Sequence, residues 1–353
     1  MSAPLSEFDR RLLDALQRSV PLVPRPFEPL ARELSTGETG VIDAVSRLSG
    51  PGGIIREISA VLEAASLGYA TTLVAARVPS GGLDRAGEVV AAHPGVSHAY
   101  ARDGRPNLWF TLSVGPDSDL GLGRTIDVLG RLMGADEAIS LPARRRYKLH
   151  ARFDLSGGRE PRPEGSGGVG EHEEARSLPV AAGASGPPTD EQVRAIRALQ
   201  TPLPALREPF LGLAREAGMS VEALLVHGAD FVSAGWMRRY AAVLRHRQAG
   251  AAFNVLVAWQ VPPAKADAFG AQAAGFGAVS HCYLRQAAPG WPYNLYTMVH
   301  APGPASAART IEAIAAAGGD WPRATLPTAR EYAKARVRLF TPAVRQWEST
   351  VVD

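Results

Sequence analysis

The chain has 353 residues, 46% of them hydrophobic and 21% charged, with a formal net charge of +3. That length implies two or three domains, and that mixture excludes a disordered chain. A single cysteine, Cys282, excludes an intramolecular disulfide and any multi-cysteine zinc or iron–sulfur site. No apolar run approaches the roughly 18–20 residues of a membrane span, and the N-terminus lacks the apolar segment of a signal peptide. The expectation is therefore a cytoplasmic protein with no membrane partner.

Residues 5–18 carry Leu5, Phe8, Leu12, Leu13 and Leu16 at helical spacing, with Ser6 placed to cap. After a proline-punctuated loop, short helices are predicted near 27–34 and 38–49, the latter ending at Gly50-Pro51-Gly52-Gly53. Strands are predicted at 58–63 and 69–78 with Gly68 at the turn. A helix near 83–92, strands at 96–102 and 107–114, a helix near 121–132 and a last strand near 145–153 follow. From the second strand onward the order is βαββαβ, a ferredoxin-like arrangement, preceded by a winged helix-turn-helix-like head. Residues 155–188 hold eight glycines and five prolines and almost no large apolar side chains, so they read as a flexible linker.

Beyond the linker the pattern starts again. Leu73-Val-Ala-Ala-Arg-Val-Pro79 reappears as Leu256-Val-Ala-Trp-Gln-Val-Pro262, and Val96-Ser-His-Ala-Tyr-Ala-Arg102 as Val279-Ser-His-Cys-Tyr-Leu-Arg285. Pro26-Phe27 with Leu30-Ala-Arg-Glu33 is echoed by Pro209-Phe210 with Leu213-Ala-Arg-Glu216. The chain is thus a tandem duplication of α+β halves. The expected units are a head at 1–55, a ferredoxin-like domain at 56–154, the linker at 155–188, a second head at 189–237 and a second ferredoxin-like domain at 238–353. Two similar halves on one chain imply an internal pseudo-dimer, with further homo-oligomerisation left open.

A helix-turn-helix head on a ferredoxin-like body resembles the Lrp/AsnC transcription regulators. The candidate recognition helices argue against DNA as the partner. The first, from Glu38 to Leu48, offers two acids against one arginine; the second, from Ser220 to Asp230, offers two acids and no lysine or arginine. Phosphate repels such surfaces.

The segment Val279–His300 concentrates the residues that carry chemistry. Alternation puts His281, Tyr283 and Arg285 on one strand face, and Asn294, Tyr296, Met298 and His300 on one face of the next strand. The halves share Arg56 with Arg238, His98 with His281, and Arg102 with Arg285. They differ where Glu57 becomes Arg239, Glu63 becomes Arg245, Ala64 and Ala65 become His246 and Arg247, and Ser113 becomes His300. The second half also inserts a longer turn carrying Trp291. Arginine forks suit carboxylates, aromatic rings suit a flat conjugated ligand, and histidine transfers protons near neutral pH. A solvated basic hairpin is the competing reading of His246-Arg247, and a structural histidine that of His281. Cys282 points away from His281 and reads as core, while Arg144-Arg145-Arg146 and Arg336/Arg338 read as solvated faces. Gly165–Gly170 matches GxGxxG but lacks the strand-to-helix frame a phosphate loop needs. No His/Asp/Glu cluster has metal-ligand spacing.

The segments Met237–Gly250, Val257–Pro262, Val279–Arg285 and Trp291–His300, together with Leu67–Pro79, His93–His98 and Asn107–Leu112 of the first half, resemble the siroheme decarboxylases, an Lrp-like family. The two halves look like the two subunits of such an enzyme fused through the linker. The resemblance implies loss of carbon dioxide from the acetates at C12 and C18 of siroheme, giving 12,18-didecarboxysiroheme in heme d1 or alternative heme biosynthesis. It implies no added cofactor, the iron belonging to the substrate. On this reading Arg238, Arg247 and Arg285 hold carboxylates, while Trp291, Tyr293, Asn294 and Tyr296 line the macrocycle. His246 or His281 supplies the proton, and His300 orients substrate or contacts its iron. Arg56, His98 and Arg102 form a candidate second half-site, put in doubt by Glu57, Ala64 and Ala65. The alternative from another class is a tetrapyrrole-sensing regulator.

Overall fold

The computed structural model of the protein describes residues 5–149, 176–177, 187–245 and 253–351. Most of the expected linker, including Gly165–Gly170, lies outside the described residues, as do His246 and Arg247.

The first head comprises α1 (Glu7–Arg18), α2 (Phe27–Glu33) and α3 (Glu38–Ser49). Ser6 caps α1 as expected: its hydroxyl accepts from Asp9 N (3.0 Å) while Asp9 accepts from Ser6 N (3.1 Å), a capping box. The first body comprises β1 (Ile55–Leu62), β2 (Ala70–Arg77), α4 (Leu83–Ala92), β3 (Val96–Arg102), β4 (Leu108–Val114), α5 (Gly121–Leu132) and β5 (Glu137–Leu149). A two-residue strand, β6 (Arg176–Ser177), precedes the second head, α6 (Asp190–Gln200), α7 (Phe210–Glu216) and α8 (Val221–Ser233). The second body is β7 (Met237–Leu244), β8 (Phe253–Trp259), α9 (Pro263–Ala274), β9 (Val279–Arg285), β10 (Leu295–Ala301), α10 (Pro304–Gly318) and β11 (Arg323–Lys334), followed by α11 (Ala343–Val351).

The halves are more interleaved than the expected boundaries imply. β1 and β7 pair with each other, Ile58 opposite Ala242 and Ala60 opposite Tyr240. Val20 of the first head donates to the Tyr240 carbonyl of the second half, and Leu203 of the second head donates to Ile58 of the first. Leu12, Leu16, Phe27, Ile196, Leu199, Phe210 and Phe231 consequently share one core with both strands. The two heads form one body, because each lacks enough apolar surface to close a core alone.

The last strand of each ferredoxin-like unit is long and changes partners midway. β5 starts at Glu137, earlier than the strand predicted near 145–153. Its first part pairs with β2, and its second part pairs with β9 of the other half. Likewise β11 pairs first with β8 and then with β3. The pairings close a ring, β2-β4-β3-β11-β8-β10-β9-β5 and back to β2, with β6 added alongside the second part of β5. Strand alternation then separates two environments. Val74 and Phe110 share a core with Val90 of α4 and Leu129 of α5, and Val257 and Cys282 with Phe269 of α9 and Ile311 of α10. Ala75, Trp109, Leu141, Leu256, Trp291, Tyr296 and Leu326 fill the inner side between the halves.

Two matching locks hold the crossing strands. Tyr147 of β5 donates to Asp267 (2.5 Å) beside the Arg145–Asp267 ion pair (2.7 Å), its ring lying over Gly270 of α9. Tyr332 of β11 donates to Asp84 (2.7 Å) beside the Arg330–Asp84 pair (2.7 Å), over Gly87 of α4. A Cβ would stand 2.4 Å from the Tyr147 ring at Gly270 and 2.5 Å from the Tyr332 ring at Gly87, so only glycine lets these rings approach. The C-terminal α11 has no counterpart among the predicted elements. It returns to the first half, where buried Glu348 accepts from Ser118 Oγ and from Asp119 N (3.1 Å) at the N-terminus of α5. Trp347 meets the His93 ring at 4.3 Å.

Candidate active site

β9 and β10 pair as expected, Tyr296 opposite Tyr283 and Met298 opposite His281. A bulge inserts Ser280 between Val279 and His281, and the first half repeats it at Ser97. The bulge re-aims the strand so that Ser280 and His281 both serve one side. His281, Tyr283 and Arg285 face the inner side of the ring, and Cys282 faces α9, where its thiol lies 3.5 Å from the Gly270 carbonyl. Burial pushes that thiol well above its usual pKa, so Cys282 is core.

Arg285 is stacked over Tyr283 (5.0 Å) and reaches the ring of Tyr296 (5.9 Å), while Nη1 donates to the Leu141 carbonyl at 2.8 Å. Its buried Nε has no hydrogen-bond partner among the described residues. Two more guanidiniums converge on Tyr283. Arg238 of β7 lies 3.1 Å from Glu63 Oε2, a contact not aligned as a hydrogen bond, and Arg146 of β5, opposite Tyr283 in register, lies 3.3 Å from the same oxygen. Burial raises the Tyr283 pKa, against the pull of Arg285, Arg146 and Arg238. Burial also lowers the pKa of Arg285. Three guanidiniums against one carboxylate, mostly out of water, form a site whose cationic groups gain from an arriving carboxylate.

His300, next to last in β10, lies within hydrogen-bond reach of two partners, Nε2 at 2.6 Å from Ser280 Oγ and Nδ1 at 2.5 Å from Asn254 Oδ1. Ser280 Oγ is also 2.7 Å from His281 Nδ1. The rings of His281 and Tyr283 stack at 6.5 Å. The structure therefore brings Arg238, His281, Arg285 and His300 to one region.

Other expected members occupy different roles. Asn294 is not turned to a ligand: its Oδ1 accepts from Val261 N (2.9 Å) and its Nδ2 donates to Val261 O (2.8 Å). Asn107 clamps Val78 in the same way, which marks both as framework. Trp291 and Tyr296 are core and not an open cradle. Trp291 Nε1 donates to Tyr296 OH (2.8 Å), and its ring packs on Trp109 at 5.5 Å, closing the centre between the halves. Tyr293 is half-buried against Trp291, with ring centroids 4.6 Å apart.

The first-half set is likewise not gathered into a pocket. Arg56 and His98 are exposed, and Arg102 is buried, donating to Leu326 O (3.1 Å) and Thr328 Oγ1 (2.9 Å). Burial lowers the Arg102 pKa to about 10. Arg336 and Arg338, expected on a solvated face, pair instead with buried Glu57 at 3.2 and 2.9 Å. Arg146, expected there too, is the residue that sequence reasoning missed. The available signal was its repeat partner: β5 and β11 match at Tyr147 and Tyr332, which sets Arg146 against Glu331. Among the described residues no group of three or more His, Cys, Asp or Glu side chains is placed to hold a metal ion.

The fold and site define a duplicated AsnC-type ligand-binding protein with a buried, arginine-rich face. A family model for the AsnC-like ligand binding domain matches residues 66–148 and 248–333, and one for the siroheme decarboxylase NirDL-like HTH domain matches 9–56. A siroheme decarboxylase of Hydrogenobacter thermophilus is 32% identical over 352 residues, covering 99% of each chain. The siroheme decarboxylase NirDL subunit of Paracoccus denitrificans is 31% identical over 350 residues, covering 99% of this chain and 98% of its own. The crystal structure of siroheme decarboxylase NirDL in complex with an iron-uroporphyrin III analogue superimposes with a TM-score of 0.77 at 28% identity, covering 98% of this chain and 99% of that one. The chain belongs to the siroheme decarboxylase family. The beta subunit of the Methanosarcina barkeri enzyme, 35% identical, is covered over 97% of its length by 42% of this chain, in keeping with two subunits joined in one polypeptide.

Proposed function

We propose that this protein is a carboxy-lyase that removes carbon dioxide from the C12 and C18 acetates of siroheme, yielding 12,18-didecarboxysiroheme for heme d1 or alternative heme biosynthesis. The observation that carries this reading is the convergence of Arg146, Arg238 and Arg285 around Tyr283 beside His281, in a family member matched along its whole length. Siroheme is flat and rich in carboxylates. Fixed guanidiniums in a partly dehydrated site recognise carboxylates by paired, charge-assisted hydrogen bonds.

Each step converts an acetate to a methyl group. The C–C bond to the carboxylate breaks, carbon dioxide leaves, and the electron pair stays on the methylene carbon, delocalised into the adjacent pyrrole. A proton quenches it, so no electrons are gained or lost overall and no added cofactor is required. His281 is suited to donate that proton because imidazole is the side chain whose ordinary proton exchange lies nearest neutral pH. His246 is the other candidate acid from the sequence, and Arg247 the other candidate carboxylate ligand.

The rival, a tetrapyrrole-sensing regulator, needs a cationic head. Glu38 at the start of α3 instead takes Arg25 (2.5 Å) and Arg207 (3.1 Å), tying those cations within the protein. Incubation with siroheme under reducing, anaerobic conditions, followed by mass spectrometry, tests the reading. The expected product lacks two carbon dioxides; unchanged substrate mass together with salt-sensitive operator binding would establish the regulator instead.

A further inference from the structure

Among the described residues, His281 takes part in a hydrogen-bonded row that the first half does not reproduce. The row runs His281 Nδ1, Ser280 Oγ (2.7 Å), His300 Nε2 (2.6 Å from Ser280) and, from His300 Nδ1, Asn254 Oδ1 (2.5 Å). Its direction follows from elementary donor and acceptor chemistry. An amide oxygen only accepts, so His300 carries its proton on Nδ1. Neutral His300 then accepts at Nε2, so the Ser280 hydroxyl donates to it. The hydroxyl's remaining lone pairs accept from His281, which therefore holds a proton on Nδ1. Ser280 is only 6% exposed, and the bulge that supplies it is what lets one hydroxyl meet two imidazoles.

The first half provides an internal comparison. Ser97 keeps the bulge and contacts His98 Nδ1 at 3.0 Å, yet the two positions beyond it are Ser113 and Thr71, which bond to each other at 2.9 Å. Thr71 and Ser113 stand opposite each other in β2 and β4 as Asn254 and His300 do in β8 and β10. The scaffold is therefore satisfied by a small hydroxyl pair at these positions. The imidazole and amide of the second half exceed what the fold requires.

Resting on the decarboxylase reading above, we propose that Ser280, His300 and Asn254 are positioning residues that fix the tautomer of His281. With Nδ1–H committed to Ser280, Nε2 is the nitrogen through which His281 transfers its proton to the methylene carbon. When the C–C bond breaks and carbon dioxide departs, that carbon takes the Nε2 proton together with the electron pair of the broken bond. His281 is left as the neutral Nδ1–H tautomer, already held by the row, and solvent returns a proton to Nε2 for the second acetate. His300 thus acts through His281, and this role replaces the expected contact with the substrate or its iron.

The test uses the full chain, with siroheme binding followed by its absorbance and turnover by mass spectrometry. Ser280→Ala should lower kcat roughly 10- to 100-fold and leave the siroheme Kd within about twofold. Ser280→Thr, which keeps the hydroxyl, should recover most of the loss. Asn254→Thr combined with His300→Ser installs the pair the first half already accommodates, so folding is retained; it should reproduce the kcat loss of Ser280→Ala, and the triple variant should lose no more. Wild-type kcat in both Ser280→Ala and the double variant would overturn the row. A loss expressed in Kd with kcat unchanged would instead make these residues substrate contacts and also overturn it. Failure of the wild-type protein to release carbon dioxide would reject the decarboxylase reading itself, a result separate from either.

Discussion

The two halves share a scaffold down to individual hydrogen bonds, yet the face at Tyr283 receives an arginine where the matching face at Tyr100 receives a carboxylate. The bulges at Ser97 and Ser280, the clamps of Asn107 and Asn294, and the locks of Tyr332 and Tyr147 are repeated nearly atom for atom. What differs is charge on the strand that crosses over. β5 brings Arg146 opposite Tyr283, and β11 brings Glu331 opposite Tyr100. The carboxylate of Glu331 adds to burial in raising the Tyr100 pKa to about 12, whereas arginines oppose burial at Tyr283. Because the crossing strand belongs to the other half, each face is completed by its twin. The site at His281 is thus composite, and a separated second half would lack Arg146.

The sharpest way to break this comparison is to remove each histidine in turn. His281→Ala should lower kcat by about 10²–10⁴-fold, the usual contribution of a positioned general acid, while His98→Ala, on an exposed site, should stay within about twofold. Equal losses would show that both faces react. Next in size is the charge contrast. Arg146→Glu copies the first half's residue and should weaken siroheme binding by roughly 30-fold or more, since losing a desolvated charge partner typically costs about 2–5 kcal/mol. Glu331→Arg should leave that binding site unaffected. A Kd unchanged in Arg146→Glu would remove the crossing strand from substrate recognition.

Much of this was legible from residue pattern alone, for a physical reason: the repeat tests every position against a twin with the same fold. Ser6 as a cap, the pairing of β9 with β10 and the core placement of Cys282 all follow from local periodicity. The partner exchange of β5 and β11 does not, because a strand's own alternation carries no record of which neighbour it meets in its second part. Arg144-Arg145-Arg146 therefore reads as a solvated run, although Arg145 serves the lock and Arg146 the site. Trp291 and Tyr296 mislead in the opposite sense. Aromatic rings near a polar strand suggest a ligand surface, but Trp109 from the other half already occupies the far side of Trp291. The shared asparagines at 107 and 294 could have been read as framework, since a residue kept in both halves despite different surroundings answers to the backbone.

If the locks are scaffold, they should respond alike where the faces respond differently. Gly270→Ala and Gly87→Ala each drive a methyl into a tyrosine ring. Overpacking costs about 1–3 kcal/mol, offset in part by the roughly 1 kcal/mol that alanine gains over glycine in a helix. A net loss of up to about 2 kcal/mol in each, measured by denaturant unfolding, is expected. A large loss in one with none in the other would mean that the crossing strands are held differently.

The smallest effect separates the halves by pH. His93 is buried beside Trp347, its Nδ1 accepting from Gly95 N at 3.0 Å, and the repeat places Phe276 at the matching position. Burial pulls the His93 pKa from 6.5 down to about 4, with Glu348 acting weakly in the other direction. The unfolded chain then binds a proton that the folded chain refuses between those two values, so stability falls as pH drops below about 6.5 and levels off below about 4. Between pH 7 and pH 5.5 the loss from this group should be about 1 kcal/mol by linkage. His93→Phe, which copies the second half, should abolish that component while preserving the packing on Trp347. Unfolding titrations of the two proteins at those pH values would show the difference. An identical pH dependence would place the acid sensitivity elsewhere and leave His93 as a packing residue like Phe276.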